Sequence, residues 1–275
     1  MKSGGIIDCH LHIIDPARFP YLPGVGYTPG PGEEGTLGEL GAVLDAHGVG
    51  HALLVQPSCY GHDNTAMIDA MTASPGRFKA IAVVDGGTAD RQLQNLGEHG
   101  VVGVRFNLVS HDRAALAGPD GARLLDRLKA LGWFAQVYAQ DAQWSEVAPV
   151  LRRSGVEVLI DHFGVTDVPG GASSPGFRAV LDLGRTGKAV VKLSAPFRIA
   201  SGPDRYGELD GHAQSLLDAF GLDRCIWGSD WPFLAATKAI RYGDQLTALN
   251  SWLPDPKDRD RVLWSNPVRL FGFAR

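Results

Sequence analysis

Eight runs of apolar residues recur along the chain. Their centres are continuous rather than alternating, as in Leu53-Leu54-Val55, Ile81-Ala82-Val83-Val84 and Val158-Leu159-Ile160. A strand that is apolar at successive positions is buried on both faces, the condition of a parallel sheet covered by helices. The runs lie at 5–12, 52–58, 78–85, 103–108, 133–139, 156–164, 189–195 and 225–231. Helical spacings fall between them: Leu37, Leu40 and Leu44; Met67, Ile68 and Met71; then Leu124, Leu125, Leu128 and Leu131 ahead of Gly132, a residue suited to end a helix. These stripes are expected in the core. Asp63, Asp120 and Asp141 stand where N-caps are expected. Eight βα units without a linker-like break predict one α/β domain over 1–275, a (β/α)8 barrel of the TIM type. A doubly wound open sheet is the competing arrangement, but no GxGxxG turn follows the first run.

In such a barrel the chemistry gathers at the C-terminal ends of the strands. The first run closes on Asp8-Cys9-His10-Leu11-His12. Residues two apart on a strand share a side, so His10 and His12 project together. Two adjacent imidazoles can bind a divalent metal or donate two hydrogen bonds to one oxygen. The second run ends in Gln56-Pro57-Ser58, the fourth carries Arg105 and Asn107, and the fifth carries Tyr138. The sixth ends in Asp161-His162, the seventh carries Lys192 and Ser194 with Arg198 beyond, and the eighth ends in Ser229-Asp230-Trp231. Any one of these could be a satisfied polar group of the core; seven strands contributing together point to a site. An unpaired carboxylate after the apolar Cys225-Ile226-Trp227-Gly228 would be costly. Asp230 therefore closes the barrel as an ion pair, takes a proton from water as a general base, or binds a metal. His47, His51, His99 and His212 fall in or at the edges of helical segments and are read as surface residues. The Pro/Gly-rich stretch 19–32 is too long for a tight turn and would lie over the barrel mouth; 164–175 is a second such loop.

A formal charge of −4 with no basic run argues against nucleic-acid or membrane-surface partners. No apolar stretch is long enough to span a bilayer, and no apolar leader precedes Asp8, so no signal peptide is expected. Cys9, Cys59 and Cys225 are odd in number, far apart and without a CxxC, which fits a reducing cytoplasm and no disulfide framework.

Three motifs in order, Asp8-Cys9-His10-Leu11-His12, Asp161-His162-Phe163-Gly164 and Trp227-Gly228-Ser229-Asp230-Trp231-Pro232, resemble the amidohydrolase superfamily. Phe19-Pro20-Tyr21, Tyr27-Thr28-Pro29, Val55-Gln56-Pro57-Ser58-Cys59-Tyr60-Gly61, Asp63-Asn64, Gly103-Val104-Arg105-Phe106-Asn107, Leu131-Gly132-Trp133 and Ser265-Asn266-Pro267 with Arg269-Leu270 narrow the resemblance to its lactonase branch, which includes the 2-pyrone-4,6-dicarboxylate lactonases. The resemblance covers nearly the whole chain. It implies a distorted barrel and a hydrolase of aromatic catabolism that opens a small, carboxylated cyclic ester. It also implies that Asp230 activates water while His10, His12 and His162 polarise the lactone carbonyl. Tyr27, Ser58, Arg105, Tyr138 and Arg198 would then hold the substrate, the arginines clamping carboxylate. One departure stands out. The branch places a second arginine shortly after the one matching Arg105; this chain has His111 there, with Arg113 two residues on.

His10, His12 and Asp230 also make a possible three-ligand zinc site with an open position. Metal-dependent members of the superfamily add a histidine at the end of the fifth strand, which here reads Trp133-Phe134-Ala135-Gln136-Val137-Tyr138-Ala139. Catalysis without metal or other cofactor is the favoured expectation, a single zinc the alternative. Two further functions stay open: a metal-dependent decarboxylase or amide hydrolase of the same superfamily, and a non-catalytic barrel that binds a small molecule. Monomer and homo-oligomer are equally compatible with the sequence.

Overall fold

The computed structural model describes residues 5–109, 114–166, 168–202 and 204–274. Eight strands form one parallel sheet in sequence order: β1 Ile6–Leu11, β2 Val49–Val55, β3 Phe78–Ala82, β4 Val101–Asn107, β5 Phe134–Tyr138, β6 Glu157–Ile160, β7 Ala189–Ser194 and β8 Cys225–Gly228. Helices at Leu37–Ala46, Thr65–Ala73, Asp90–Glu98, Pro119–Leu131, Ala142–Ser154, Pro175–Arg185 and Asp210–Phe220 separate consecutive strands, and others, Tyr242–Trp252 among them, follow β8. This is the (β/α)8 barrel read from the apolar runs, nearly closed. Its last seam is short. Past the end of β8 the His12 N–H donates to the Trp231 carbonyl at 2.9 Å, and the Asp230 N–H donates to the His10 carbonyl at 2.7 Å.

Two apolar layers follow from the two faces of each strand. The outer one lies between sheet and helices and holds Leu40, Leu44, Met67, Leu124, Leu125 and Leu128. The inner one fills the barrel with Ile7, Cys9, Leu53, Val55, Ile81, Phe134, Leu159, Val190 and Ile226, joined by Phe271 and Phe273 from the C-terminus. The β1–β2 ladder shifts register between Asp8 and Leu11. Such a bulge re-aims side chains beside an active site. Before the shift Ile7 and Cys9 belong to the inner layer; after it Leu11 belongs to the outer one.

Some local readings need correction. Leu131 is exposed, because the helix ends there and Gly132 leaves it in the left-handed conformation. Asp63 and Asp120 are not N-caps. Asn64 holds the N-cap position of Thr65–Ala73 without a side-chain capping bond, while Asp63 Oδ1, one residue earlier, accepts the Thr65 N–H at 3.0 Å; Pro119 starts the helix Pro119–Leu131, placing Asp120 inside it. Asp141 does hold the N-cap position of Ala142–Ser154. His212 is buried rather than exposed, stacked on Phe177 with ring centroids 4.1 Å apart, and His51 lies on β2. Among the described residues no helix is long and apolar enough to cross a membrane.

Candidate active site

The two-residue strand repeat stacks side chains inside the barrel in layers. Phe134, Leu159, Val190 and Ile226 form the apolar floor. Two residues further along the same strands come Gln136, Asp161, Lys192 and the backbone of Gly228. Two more bring Tyr138, Ser194 and Asp230. The middle layer is polar, completely buried and internally bonded. Lys192 Nζ donates to Gln136 Oε1 at 2.9 Å and to His10 Nδ1 at 3.1 Å, and it lies 3.1 Å from Asp161 Oδ1. Gln136 Nε2 donates to Asp161 Oδ2 at 3.1 Å. Gly228 has no side chain for a steric reason: a Cβ there would stand 2.7 Å from both the Cβ and the backbone nitrogen of His10.

Above this layer sits Asp230, itself buried and held at φ 67°, a strained backbone region where non-glycine residues cluster at functional sites. His162, at φ 48° in the turn after β6, shares that strain. One carboxylate oxygen of Asp230, Oδ1, faces three imidazoles. It is 3.4 Å from His12 Nε2, 3.5 Å from His10 Nε2 and 3.7 Å from His162 Nε2. Oδ1 and His10 Nε2 have no hydrogen-bond partner among the described residues. The other oxygen, Oδ2, takes a 2.5 Å hydrogen bond from Arg198 Nε. Asp230 thus closes an ion pair with one oxygen and presents the other to the histidines, two roles the sequence offered as alternatives.

The electrostatics follow from this packing. Burial alone would raise the Asp230 carboxyl; Arg198 and the histidines outweigh it and hold the group well below the usual carboxylate range. Burial lowers His162 to about 4, against the pull of Asp230 and Asp161. Burial, reinforced by the Lys192 charge, also holds His10 well below the ordinary imidazole range. At neutral pH the site therefore contains an ionised aspartate beside neutral His10 and His162. Their second nitrogens are also engaged: His162 Nδ1 lies 2.9 Å from Ser194 Oγ, and His12 Nδ1 lies 2.7 Å from the Val55 carbonyl.

The residues read as substrate contacts line one cavity of about 440 Å³ with His12, His162 and Asp230; Tyr27, Ser58, Arg105, Tyr138 and Arg198 are all on its wall. Their present partners differ. Arg105 is 8% exposed, sits 5.6 Å over the Tyr138 ring and donates from Nη1 to the Gln56 carbonyl at 3.1 Å. Its Nε makes no hydrogen bond among the described residues and lies 3.8 Å from Asp161 Oδ2. Ser58 Oγ accepts from Asn107 Nδ2 at 3.0 Å. The Tyr27 hydroxyl donates to Glu33, whose carboxylate also accepts from the Gly30 and Ala235 N–H groups and so ties the loop after β1 to the loop after β8. Arg198 is committed to Asp230. His111 and Arg113 lie outside the described residues. Sequence reasoning did not single out Gln136, Glu33 or Asp8. A glutamine or aspartate inside an otherwise apolar strand is the signal that could have found Gln136 and Asp8, since burying either without a partner is costly.

The ligand atoms of His10, His12 and Asp230 lie within 4.8 Å of one another, as do those of His10, Asp161 and His162. Proximity suits a metal; the donor set does not. A carbonyl oxygen only accepts, so His12 carries a proton on Nδ1. His10 Nδ1 instead faces Lys192 Nζ at 3.1 Å and Asp161 Oδ1 at 3.2 Å; with the ammonium as its donor, the proton falls on Nε2, the atom a metal would need bare. Arg198 and Lys192 add positive charge beside the place a dication would occupy. The residues in this arrangement do not fit a divalent ion.

Three comparisons bear on this geometry. A family model described as "Amidohydrolase" matches residues 7–273. A 2-pyrone-4,6-dicarboxylate hydrolase of Comamonas testosteroni is 32% identical over 97% of this chain and 90% of its own length, and a 4-sulfomuconolactone hydrolase of Hydrogenophaga intermedia is 30% identical over 98% and 89%. The crystal structure of a probable 2-pyrone-4,6-dicarboxylic acid hydrolase from Acinetobacter baumannii, with citric acid bound, superimposes with a TM-score of 0.88 at 32% identity, covering 98% of this chain and 100% of that one.

Proposed function

This chain belongs to the amidohydrolase family and is a hydrolase of cyclic esters, and we propose that it opens a small carboxylated lactone without a metal. The observation that carries the reading is the bare Oδ1 of ionised Asp230, 3.4–3.7 Å from three imidazole nitrogens, with His12, His162 and Asp230 on the wall of one cavity and His10 buried behind them. That oxygen takes a proton from water as the water attacks the lactone carbonyl. His12, its ring fixed by the Nδ1 contact with the Val55 carbonyl, turns Nε2 toward the same water and aims it. His10 and His162 donate to the carbonyl oxygen and stabilise the negative charge that collects there in the tetrahedral intermediate. Collapse of the intermediate breaks the ring C–O bond. The proton held by Asp230 passes to the departing oxygen, leaving an open-chain acid.

Arg105 is assigned to a substrate carboxylate. It is buried at the cavity wall with an Nε that makes no hydrogen bond among the described residues, and a guanidinium recognises carboxylate with two parallel hydrogen bonds that lysine cannot reproduce. Arg198 holds the base in place and offers its remaining edge to the ligand. With His111 where the lactonase branch carries a second arginine, the cradle holds one fixed carboxylate partner fewer. Loss of a buried charge partner costs about 2–5 kcal/mol. A lactone with one carboxylate is therefore the better substrate. Three free, buried cysteines are consistent with a cytoplasmic enzyme.

The test is a panel of lactones, paired by one or two carboxylates, assayed by acid release for the parent and for Asp230→Asn. The parent should open monocarboxylated members with the higher kcat/KM, and Asp230→Asn should keep the fold and lose roughly 10²–10⁴ in turnover. Near-parental turnover in Asp230→Asn would refute the assignment of the base, and a strong preference for dicarboxylates would refute the substrate class.

A further inference from the structure

We propose that Lys192 is a positioning residue that places the proton of His10 on Nε2, making His10 a hydrogen-bond donor into the cavity and removing it from any metal-ligand set. A neutral imidazole has one N–H, and the partner of one nitrogen decides the state of the other. Two groups compete for His10 Nδ1. Lys192 Nζ lies 3.1 Å away in hydrogen-bonding geometry. Asp161 Oδ1 is 3.2 Å away and is already the ion-pair partner of Lys192 Nζ at 3.1 Å. Paired with the Asp161 carboxylate at 3.1 Å, Lys192 is an ammonium, which donates and cannot accept, so Nδ1 accepts and the proton resides on Nε2. That Nε2 points at the open side of Asp230, unpartnered.

The rest of the buried layer fixes this choice. Lys192 is fully buried and cannot turn its head to water. Gln136 holds it from one side through Oε1, and the opposite end of the same amide donates to Asp161 Oδ2, so only one amide orientation satisfies both contacts. Asp161 supplies the counter-charge at 3.1 Å. The ring is therefore bonded in the sense opposite to His12, whose Nδ1 meets a carbonyl. Two histidines of one HxH motif thus carry their protons on different nitrogens and serve different ends, one toward the carbonyl oxygen and one toward the water.

The assignment of His10 to the lactone carbonyl rests on the functional reading above; the position of the proton does not. Long-range ¹H–¹⁵N correlation spectra of the histidine-labelled protein, with His10 identified by its disappearance in His10→Asn, read the tautomer directly. The parent should show His10 protonated on Nε2, and Lys192→Met should shift the proton to Nδ1, now facing Asp161. In chelator-containing buffer, Lys192→Met should lose on the order of a hundredfold in kcat, the range for removing one oxyanion donor, with KM changed less than about threefold. After dialysis against micromolar zinc, Lys192→Met should retain the metal at a level where the parent holds none. A parent spectrum with His10 protonated on Nδ1 overturns the proposal, and that measurement stands even if the variant does not fold. A folded variant with the parental tautomer and kcat overturns it equally, and one that moves the proton yet holds no zinc overturns the metal half. A parent with the expected tautomer that opens no lactone leaves the inference standing and removes the functional reading instead.

Discussion

Asp8 is a fully buried carboxylate that none of the described ion pairs includes. Its Oδ1 accepts the N–H groups of His10 and Ser229, each at 3.0 Å, and its Oδ2 accepts the Tyr242 hydroxyl at 2.7 Å. Burial raises it from 3.8 to about 6, with those hydrogen bonds pulling back only in part. A carboxyl with a raised folded pKa binds its proton more tightly folded than unfolded. The liability is absent below the unfolded value near 3.8, grows as pH rises, and is complete above about 6. Two units at 1.36 kcal/mol each amount to about 3 kcal/mol. Asp8→Asn keeps an oxygen for both N–H groups and faces Tyr242 with an amide, while removing the charge. Urea unfolding of both proteins at pH 8 and pH 4 isolates the effect as a difference of differences. Asn should be more stable by about 1–3 kcal/mol at pH 8 and near parity at pH 4, with activity within a few-fold of the parent. A stability difference independent of pH, or a loss at pH 8, would show that the charge is accommodated in the fold and that the reasoning is wrong.

Other outcomes follow from the same geometry. Arg105→Met should raise KM for a carboxylated lactone at least about tenfold with a smaller change in kcat, and Arg105→Lys should fail to restore it; an unchanged KM would place the carboxylate elsewhere. His162 is depressed from 6.5 to about 4, so it is neutral above that pH, and Asp230 is ionised throughout the same range. The acid limb of kcat/KM should therefore appear near pH 4, and a limb near 6.5 would contradict the buried, neutral imidazole. Gly228→Ala should push His10 out of place, since the added Cβ lands 2.7 Å from its backbone nitrogen. Overpacking of this kind costs about 1–3 kcal/mol, and calorimetry together with turnover should show losses of both stability and rate.

The strands were readable because each is apolar on both faces. The candidate site was readable because polar residues break that pattern at strand ends. What escaped depends on partners distant in sequence. Arg198 looked free for a ligand because nothing in its neighbourhood reveals that the turn after β7 delivers its Nε to Asp230 at 2.5 Å. His212 looked exposed because an isolated histidine on a helix gives no hint of Phe177 stacked against it. Lys192 read as one polar residue among those at the strand ends, and Gln136 was not singled out. Only the shared layer with Asp161 and His10 turns them into a network. The Asp63 reading missed by one position, since Asn64 holds the N-cap while Asp63 still accepts the Thr65 N–H, and the Asp120 reading missed because Pro119 starts that helix.

The seam between the first and last strands has a consequence for how this enzyme comes into being. Asp8 and Ser229, whose hydrogen bond helps join it, are 221 positions apart. Contacts of such long range form against the largest loop entropy and are characteristic of slow steps in assembly. Here the same contacts carry His10 to Asp230, so a chain with seven strands already in place still lacks its base-and-imidazole cluster. During renaturation, turnover returns with the meeting of the two ends of the sheet and lags behind the recovery of helical signal. No fragment that omits either end retains a fraction of the activity.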